Sequence, residues 1–250
     1  MQRFHISPGS EKEGVVTLDK EESHHALSVL RLKTGEVVEL LDGQGGVFQG
    51  IVAGTEHGRL KVSVRPAAKQ NRSSRVTITL AAAVIKPESM GFLIQKACEL
   101  GAHGLVPLIS ERTVVRLSRE RWEAKIARWQ KIARESGKQC GRSSTPVIQP
   151  VQELKKFAET ISQYDLSLIA TLALPVQGFY ATLNANKSAQ SVLILIGPEG
   201  DFSRKEALLF VECGAKPVGL GPLVLRSETA SLYALSVVNF FYQEVSAEKQ

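Results

Sequence analysis

Two glycine-proline turns, Gly197-Pro-Glu-Gly200 and Gly221-Pro222, are the residues in this chain best suited to do chemistry. Glycine lets the main chain approach a ligand closely and proline holds a turn in shape, so the exposed N–H and C=O groups can read an adenine edge or a ribose. Each turn follows a short apolar run with the character of a buried strand, Val192-Leu-Ile-Leu-Ile196 before the first and Pro217-Val-Gly-Leu220 before the second. Each also leads into a helical pattern. Ser203 is placed to cap Ala207, Leu208, Phe210 and Val211, and Ser227 to cap Leu232, Leu235 and Val238. Two such units close together put two bare-backbone loops at one edge of a parallel sheet, where α/β proteins bind small molecules. Taken singly, each Gly-Pro is equally an ordinary strand-helix connection. Other chemistries lack their signatures: no strand is followed by G-x-G-x-x-G, and G-x-x-x-x-G-K-[ST], G-x-S-x-G and H-E-x-x-H do not occur.

The elements that must position these turns are legible from Arg75 onward. The pattern alternates strand Val76 to Ile85, helix Ser89 to Leu100, strand Leu105 to Ile109, helix Arg119 to about Gly137, a short apolar run near Val147, helix Val151 to Ile161 and strand Leu166 to Leu172. Strands separated by helices predict an α/β domain with a parallel sheet covered on both sides. Before it, residues 1–70 read as short strands (Val15 to Leu18, Val37 to Leu41, Gly46 to Val52, Leu60 to Val64) around one helix capped by Asp19, a small β-barrel-like module. The polar, unpatterned stretch Ala67 to Ser74 marks the boundary, giving domains 1–70 and 75–250. The adjacent His24 and His25 lack a third ligand at sensible spacing and read as helix surface.

With 250 residues and 43% hydrophobic content, the chain can bury a substantial core. No apolar run is long enough to cross a bilayer, and Met1 to Pro8 lacks the apolar core of a signal peptide, which predicts a cytosolic protein with no membrane partner. Cys98, Cys140 and Cys213 are odd in number and far apart, and read as reduced thiols rather than disulfides or zinc ligands. The net charge of +6 is localised. Residues 112–142 carry ten basic side chains against three acidic ones, whereas residues 1–70 are balanced at nine of each. A segment so one-signed is the footprint expected for a polyanion, nucleic acid first. Within it Trp122, Ile126, Trp129 and Ala133 recur at helical spacing, a seam that reads as packing rather than base stacking.

Leu195-Ile-Gly-Pro-Glu-Gly-Asp-Phe-Ser203 with Leu220-Gly-Pro-Leu-Val-Leu-Arg-Ser-Glu-Thr-Ala230 resembles the two C-terminal motifs of the SPOUT-class RNA methyltransferases. More closely, the chain is similar to the ribosomal RNA small subunit methyltransferase E family, which methylates N3 of a uridine in 16S rRNA with S-adenosylmethionine. His25 through Gly35 resembles that family's PUA-like N-terminal signature; Leu93 through Gly101, Ser110-Glu-Arg112 and Gln139-Cys-Gly-Arg142 resemble its middle motifs. The resemblance implies a C-terminal SPOUT domain whose last segment is threaded as a trefoil knot, and a homodimer acting on 16S rRNA in the small ribosomal subunit. Neither the knot nor the dimer follows from the residue pattern, because ordinary chains are unknotted.

The resemblance further places S-adenosyl-L-methionine against Leu172, Ile196, Gly197, Gly200, Leu220, Gly221 and Leu225, largely through main-chain contacts. A weakly acidic N3 proton must leave before the nitrogen attacks the methyl group in line. Arg226 is the candidate to stabilise charge on the uracil oxygens, the alternative being an ion pair with Glu228 or Glu199. Glu228 is either the proton acceptor or an acid favoured by the first turn of its helix. Lys96, Arg112 and Arg142 are expected to hold phosphates, with Arg121, Lys125 and Arg128 on the basic helix; Arg31 and Lys33 either contact RNA or complement a helix dipole. Three departures stand out: Asp201 occupies a position where the family usually has glycine, Leu223 one where arginine is common, and Lys86 to Gly91 a loop that is often more basic. The alternatives are a SPOUT methyltransferase for another rRNA or tRNA nucleotide, and a non-catalytic ribosome-associated RNA-binding protein.

Overall fold

The computed structural model describes residues 1–65, 76–115 and 117–247. The expected linker from Ala67 to Ser74, the start of the second domain at Arg75, and Arg116 of the basic segment lie outside the described residues. The chain divides into two compact units, Met1–Ser73 with Arg134–Thr145, and Ser74–Ala133 with Pro146–Gln250.

In the first unit, β1 (Gln2–His5), β2 (Val15–Thr17), β3 (Val37–Leu41), β4 (Val47–Glu56) and β5 (Arg59–Arg65) form one sheet in the order β1-β3-β4-β5-β2. Alternation decides what is inside: Val38 and Leu40 of β3 and Leu60 and Val62 of β5 turn inward onto Phe4, Val16 and Leu18. Strand β1, four residues with one buried side chain, carries too little pattern to be read from sequence, yet it pairs in parallel with β3. Asp19 caps α1 (Lys20–His24) as expected, accepting from the Glu22 amide at 2.8 Å. The helix then widens into a π turn over His25–Val29, closed by Leu30 N donating to His25 O at 2.9 Å.

Segment Arg134–Thr145 groups with this unit for specific reasons. Lys138 Nζ lies 3.0 and 3.1 Å from the two carboxylate oxygens of the buried Glu22, and the Gly45 amide donates to Ser143 O at 2.9 Å. Lys138, counted above in the polyanion footprint, is thus committed to an internal ion pair.

In the second unit the strands are β6 (Thr77–Ala83), β7 (Gly104–Ile109), β8 (Val147–Ile148), β9 (Gln152–Glu153), β10 (Leu166–Ala170), β11 (Gln177–Gly178), β12 (Ser191–Ile196) and β13 (Lys216–Gly219). All pairings are parallel, in the order β11-β13-β10-β12-β6-β7-β8, with β9 beside β7. The helices are α2 (Pro87–Glu99), α3 (Arg119–Cys140), α4 (Leu154–Ala158), α5 (Phe179–Ala185), α6 (Arg204–Glu212) and α7 (Ser227–Ala247). Alternate strand residues face two cores. Ile78, Leu80 and Ala82 pack with Met90, Leu93, Trp129, Leu235 and Val238; Ala81, Ala83, Leu193 and Leu195 pack with Phe157, Phe202 and Phe210. The sheet is therefore covered on both faces, as the near-continuous apolar strands require.

The tryptophan seam is packing, as expected: Trp129 and Ala133 are buried and Trp122 and Ile126 lie against the same core. Two expectations are corrected. The stretch predicted as one helix from Val151 to Ile161 begins as β9, because Gln152 pairs with Leu108 of β7, and only Leu154–Ala158 is α-helical. The helix after the second turn starts at Ser227 itself, since Arg226 O already accepts from Ala230 N at 2.8 Å; Ser227 is inside the helix rather than its cap. Its apolar stripe, Leu235 and Val238 with Phe241 mostly buried, faces its own sheet and is not free surface. Burial, with Asp165 nearby, pushes the Tyr242 phenol up to about 12, and this protonated group donates to Asn186 O at 2.9 Å, pinning the end of α7.

Candidate functional site

Strands β13, β10 and β12 are neighbours, so the loops that leave their C-terminal ends meet at one edge of the sheet. They enclose a cavity of about 320 Å³. From β10 come Thr171, Leu172 and, further on, Val176; from β12, Ile196 through Asp201; from β13, Leu220, Gly221, Leu223, Val224 and Leu225. All seven residues expected around a cofactor are among those lining it. The two turns meet as the strand-turn-helix pattern required, with β10 between their parent strands.

Close approach explains the glycines that matter. A Cβ on Gly197 would lie 2.6 Å from Phe202 N and 2.9 Å from Asp201 C, both backbone atoms with nowhere to go. Gly221 has φ +112°, a conformation L side chains rarely adopt. On Gly219 a Cβ would meet Val176 Cγ2 at 3.0 Å, so the β13 end can approach the Val176 wall closely only without a side chain.

The first loop is held by side chains. Ser203 and Glu206 form a reciprocal capping box at the start of α6, confirming Ser203 as the cap, and the other oxygen of Glu206 accepts from Glu111 N at 2.7 Å. Arg112 donates to Gly200 O, so this residue, expected on phosphates, has a contact at the cavity loop. Ser227 Oγ donates to Gly197 O at 2.6 Å and ties α7 to the first turn. Asp201 accepts from Thr171 Oγ1, Leu172 N and Phe202 N at 2.9, 2.7 and 2.7 Å. Sequence reasoning did not see the parts taken by Thr171, Val176, Val224 and Ser227 in the cavity. It noted Asp201 only as a departure from pattern, and that was the available signal.

Arg226 and Glu228 do not line the cavity; they occupy the entry to α7 on either side of Ser227, which does. Arg226 is exposed and, among the described residues, has no ion-pair partner, so the alternative pairing with Glu199 or Glu228 is not formed. The remaining candidates are dispersed. Lys96 is bound to Glu99 at 2.9 Å on α2. Arg121 and Arg128 are exposed on α3 and Lys125 is half-buried there. In the first unit Arg31, at φ 55°, and Lys33 are exposed, while Arg142 is half-buried with its amide donating to Gly137 O at 2.9 Å.

Known proteins place this architecture. The model of an RNA methyltransferase domain matches residues 72–239, and that of an RNA methyltransferase PUA domain matches residues 18–65. The ribosomal RNA small subunit methyltransferase E of Synechocystis is 32% identical over 95% of this chain and 77% of its own length. The chain belongs to the ribosomal RNA small subunit methyltransferase E family. The Bacillus subtilis member is 29% identical over 96% of both chains. The crystal structure of the Neisseria gonorrhoeae member bound to S-adenosyl methionine has a TM-score of 0.88 at 26% identity, covering 97% of this chain and 98% of that one. Both domains expected of the family are thus present, the PUA-like match falling on the small β unit and the methyltransferase match on the parallel sheet that carries the cavity. No described helix is long and apolar enough to cross a membrane.

Proposed function

We propose that this chain is an S-adenosyl-L-methionine-dependent methyltransferase of 16S rRNA, acting on N3 of a uridine in the small ribosomal subunit, in the cytoplasm and as a homodimer. The observation that carries the reading is the convergence of both glycine-proline motifs on one cavity. Its volume lies in the range of small-molecule sites, roughly 300–1,000 Å³, and its walls are mostly aliphatic side chains and uncovered main chain, with Thr171, Glu199, Asp201 and Ser227 as the polar side chains. Such walls suit a nucleoside with an aliphatic sulfonium arm.

When bound, the cofactor supplies an electrophilic methyl carbon. The chain's own residues do the rest. Arg226, exposed and unpaired among the described residues at the cavity's rim, holds the uracil oxygens as negative charge grows on them, a stabilisation worth about 3 kcal/mol in comparable oxyanion sites. Glu228, half-buried in the first turn of α7, is the acceptor for the N3 proton. Arg121, Lys125 and Arg128 offer cations along α3 to the RNA backbone, with Arg112, Lys96, Arg142, Arg31 and Lys33 as further phosphate contacts. The proposal includes the trefoil threading of the last segment that the family resemblance implies. For the dimer, Phe92 of α2 and Tyr233 and Phe240 of α7 are large exposed aromatics on two helices that pack together.

Calorimetry with S-adenosylmethionine tests the cavity: absence of binding at millimolar cofactor leaves only the RNA-binding alternative. Mapping methylated nucleotides in rRNA from cells lacking the protein tests the target, and loss of a base other than an N3-methyluridine would move the function to another nucleotide. Charge reversal at Arg121, Lys125 and Arg128 is expected to weaken subunit binding and flatten its salt dependence; unchanged affinity across salt removes α3 from the RNA contact.

A further inference from the structure

Asp201 sits at φ 60° in the left-handed region, one of three non-glycine residues with positive φ in the chain's described parts. Asp tolerates that conformation better than most residues, but glycine adopts it without cost, so conformation alone does not select a carboxylate. Its hydrogen bonds do. One oxygen, Oδ2, accepts from Thr171 Oγ1 at 2.9 Å and from Leu172 N at 2.7 Å; the other, Oδ1, accepts from Phe202 N at 2.7 Å. The chain of bonds continues outward, since Thr171 Oγ1 accepts from Ala173 N at 3.1 Å and Arg204 donates to Ala173 O at 3.2 Å. Thr171 and Phe202 are buried, so the donors aimed at the carboxylate belong to well-packed residues.

We propose that Asp201 is a positioning residue of the cofactor cavity, clamping the wall at Thr171 and Leu172 to the loop at Gly197 to Phe202. This rests on the reading of the cavity as the methyl-donor site. Only an ionised carboxylate accepts from three donors at once with no proton of its own in the way. Short bonds to a charged acceptor are stronger and more directional than neutral ones. The clamp acts across two different strand ends, β10 and β12, at the point where their loops surround the cavity, with the Arg204 bond to the Ala173 carbonyl as a second tie further out. It also fixes what Leu172 offers a ligand. Its N–H is taken by Asp201, so its carbonyl and its 70% exposed side chain are what remain to make contact. The acid thus acts through the wall it holds and need not touch the reacting atoms.

The test compares wild type with Asp201→Gly, which keeps the backbone conformation and removes the clamp, and with Asp201→Asn, which accepts from two donors but turns an NH₂ group towards the third. In the ligand-free protein, hydrogen exchange at the Leu172 amide is expected to quicken at least ~tenfold in Asp201→Gly, while amides of β12 and the thermal midpoint stay as in wild type. Calorimetry should then show S-adenosylmethionine binding weakened at least ~tenfold, with Asp201→Asn between the two. In turnover, the donor KM should rise while kcat at saturating donor changes little, a split that a merely structural role does not produce. Donor affinity in Asp201→Gly within about twofold of wild type would overturn the proposal, as would loss of protection spread into β12 with a lowered midpoint. A wild type that binds no donor overturns the function proposed above as well, and that failure appears in the first titration, before any variant is compared.

Discussion

The two loops that face each other across the cavity are built on opposite plans. Residues 197–202 are braced from outside the loop: Ser227 holds the Gly197 carbonyl, Arg112 the Gly200 carbonyl, and Asp201 reaches to the β10 end, while Phe202 is buried edge-on against Phe210 with ring centroids 5.2 Å apart. Residues 220–226 have no such support. Among the described residues no side-chain hydrogen bond or ion pair reaches them, and Leu223 and Val224 are 74% and 78% exposed. A braced loop is already in its binding geometry, whereas an unbraced one is ordered by what it binds and charges that ordering against affinity. The cavity thus has a braced wall on the β12 side and an unbraced wall on the β13 side, with Arg226 at the end of the unbraced one; on the function proposed above, the first positions the cofactor and the second closes on it.

The sharpest way to separate the two walls is to remove function from one and shape from the other. Arg226→Ala should lower methyl transfer about a hundredfold or more, the cost of losing one charge stabiliser at the reacting base. Its thermal stability and cofactor affinity should stay unchanged, because the guanidinium holds nothing in the fold; single-turnover rates and calorimetry on the same preparation check both. Gly197→Ala should do the reverse. With backbone atoms 2.6 and 2.9 Å from the new Cβ, the braced loop must be pushed off its supports, at about 1–3 kcal/mol of stability and with loss of cofactor binding, read from denaturant melts and calorimetry. An Arg226→Ala protein that melts early, or a Gly197→Ala protein that binds normally, breaks the division of labour.

The difference between the walls also explains what could be read in advance. The strands before both turns, the capping serine Ser203 and the turn residues themselves are local signals, and the structure has them where the sequence puts them, to within a few residues. What escaped were the braces, because each joins residues far apart in the chain: Asp201 to Thr171 and Leu172, Arg112 to Gly200, Ser227 to Gly197. Ser227 shows the point. A serine before a helical pattern reads as a cap, yet its hydroxyl is drawn to a carbonyl thirty residues away, and the helix starts on it instead. Short elements escaped for a different reason. Strand β1 and helix α5, of four and seven residues, are too brief to show a period and form because neighbours bury Phe4, Phe179 and Leu183. The knot expected for this family leaves no local pattern at all.

Smaller effects sharpen the same contrast. Ser227→Ala removes the brace between α7 and the first turn and leaves the buried Gly197 carbonyl without that donor, an expected loss of about 1 kcal/mol, or a fall of roughly 2–4 °C in Tm for a chain of this size. Because the lost bond belongs to the braced wall, cofactor affinity should weaken along with stability. An unchanged Tm would mean that the brace is not holding the loop.

The smallest expected effect on stability is at Gly221, and it is the most discriminating because it repeats the Gly197 substitution on the other wall. Gly221→Ala meets no atom within 4 Å, so its only penalty is the φ of +112°. A braced residue would have to hold that conformation and bear the strain, about 1–3 kcal/mol. This loop has nothing to hold it there, so it should relax towards an allowed conformation and lose less than ~1 kcal/mol in a denaturant melt. The relaxed loop no longer presents the main chain that closes the cavity, and cofactor affinity should fall although the fold barely changes. If the two glycine-to-alanine variants instead lose stability equally, the second loop is as rigid as the first, and Arg226 is carried by a fixed wall rather than delivered by a closing one.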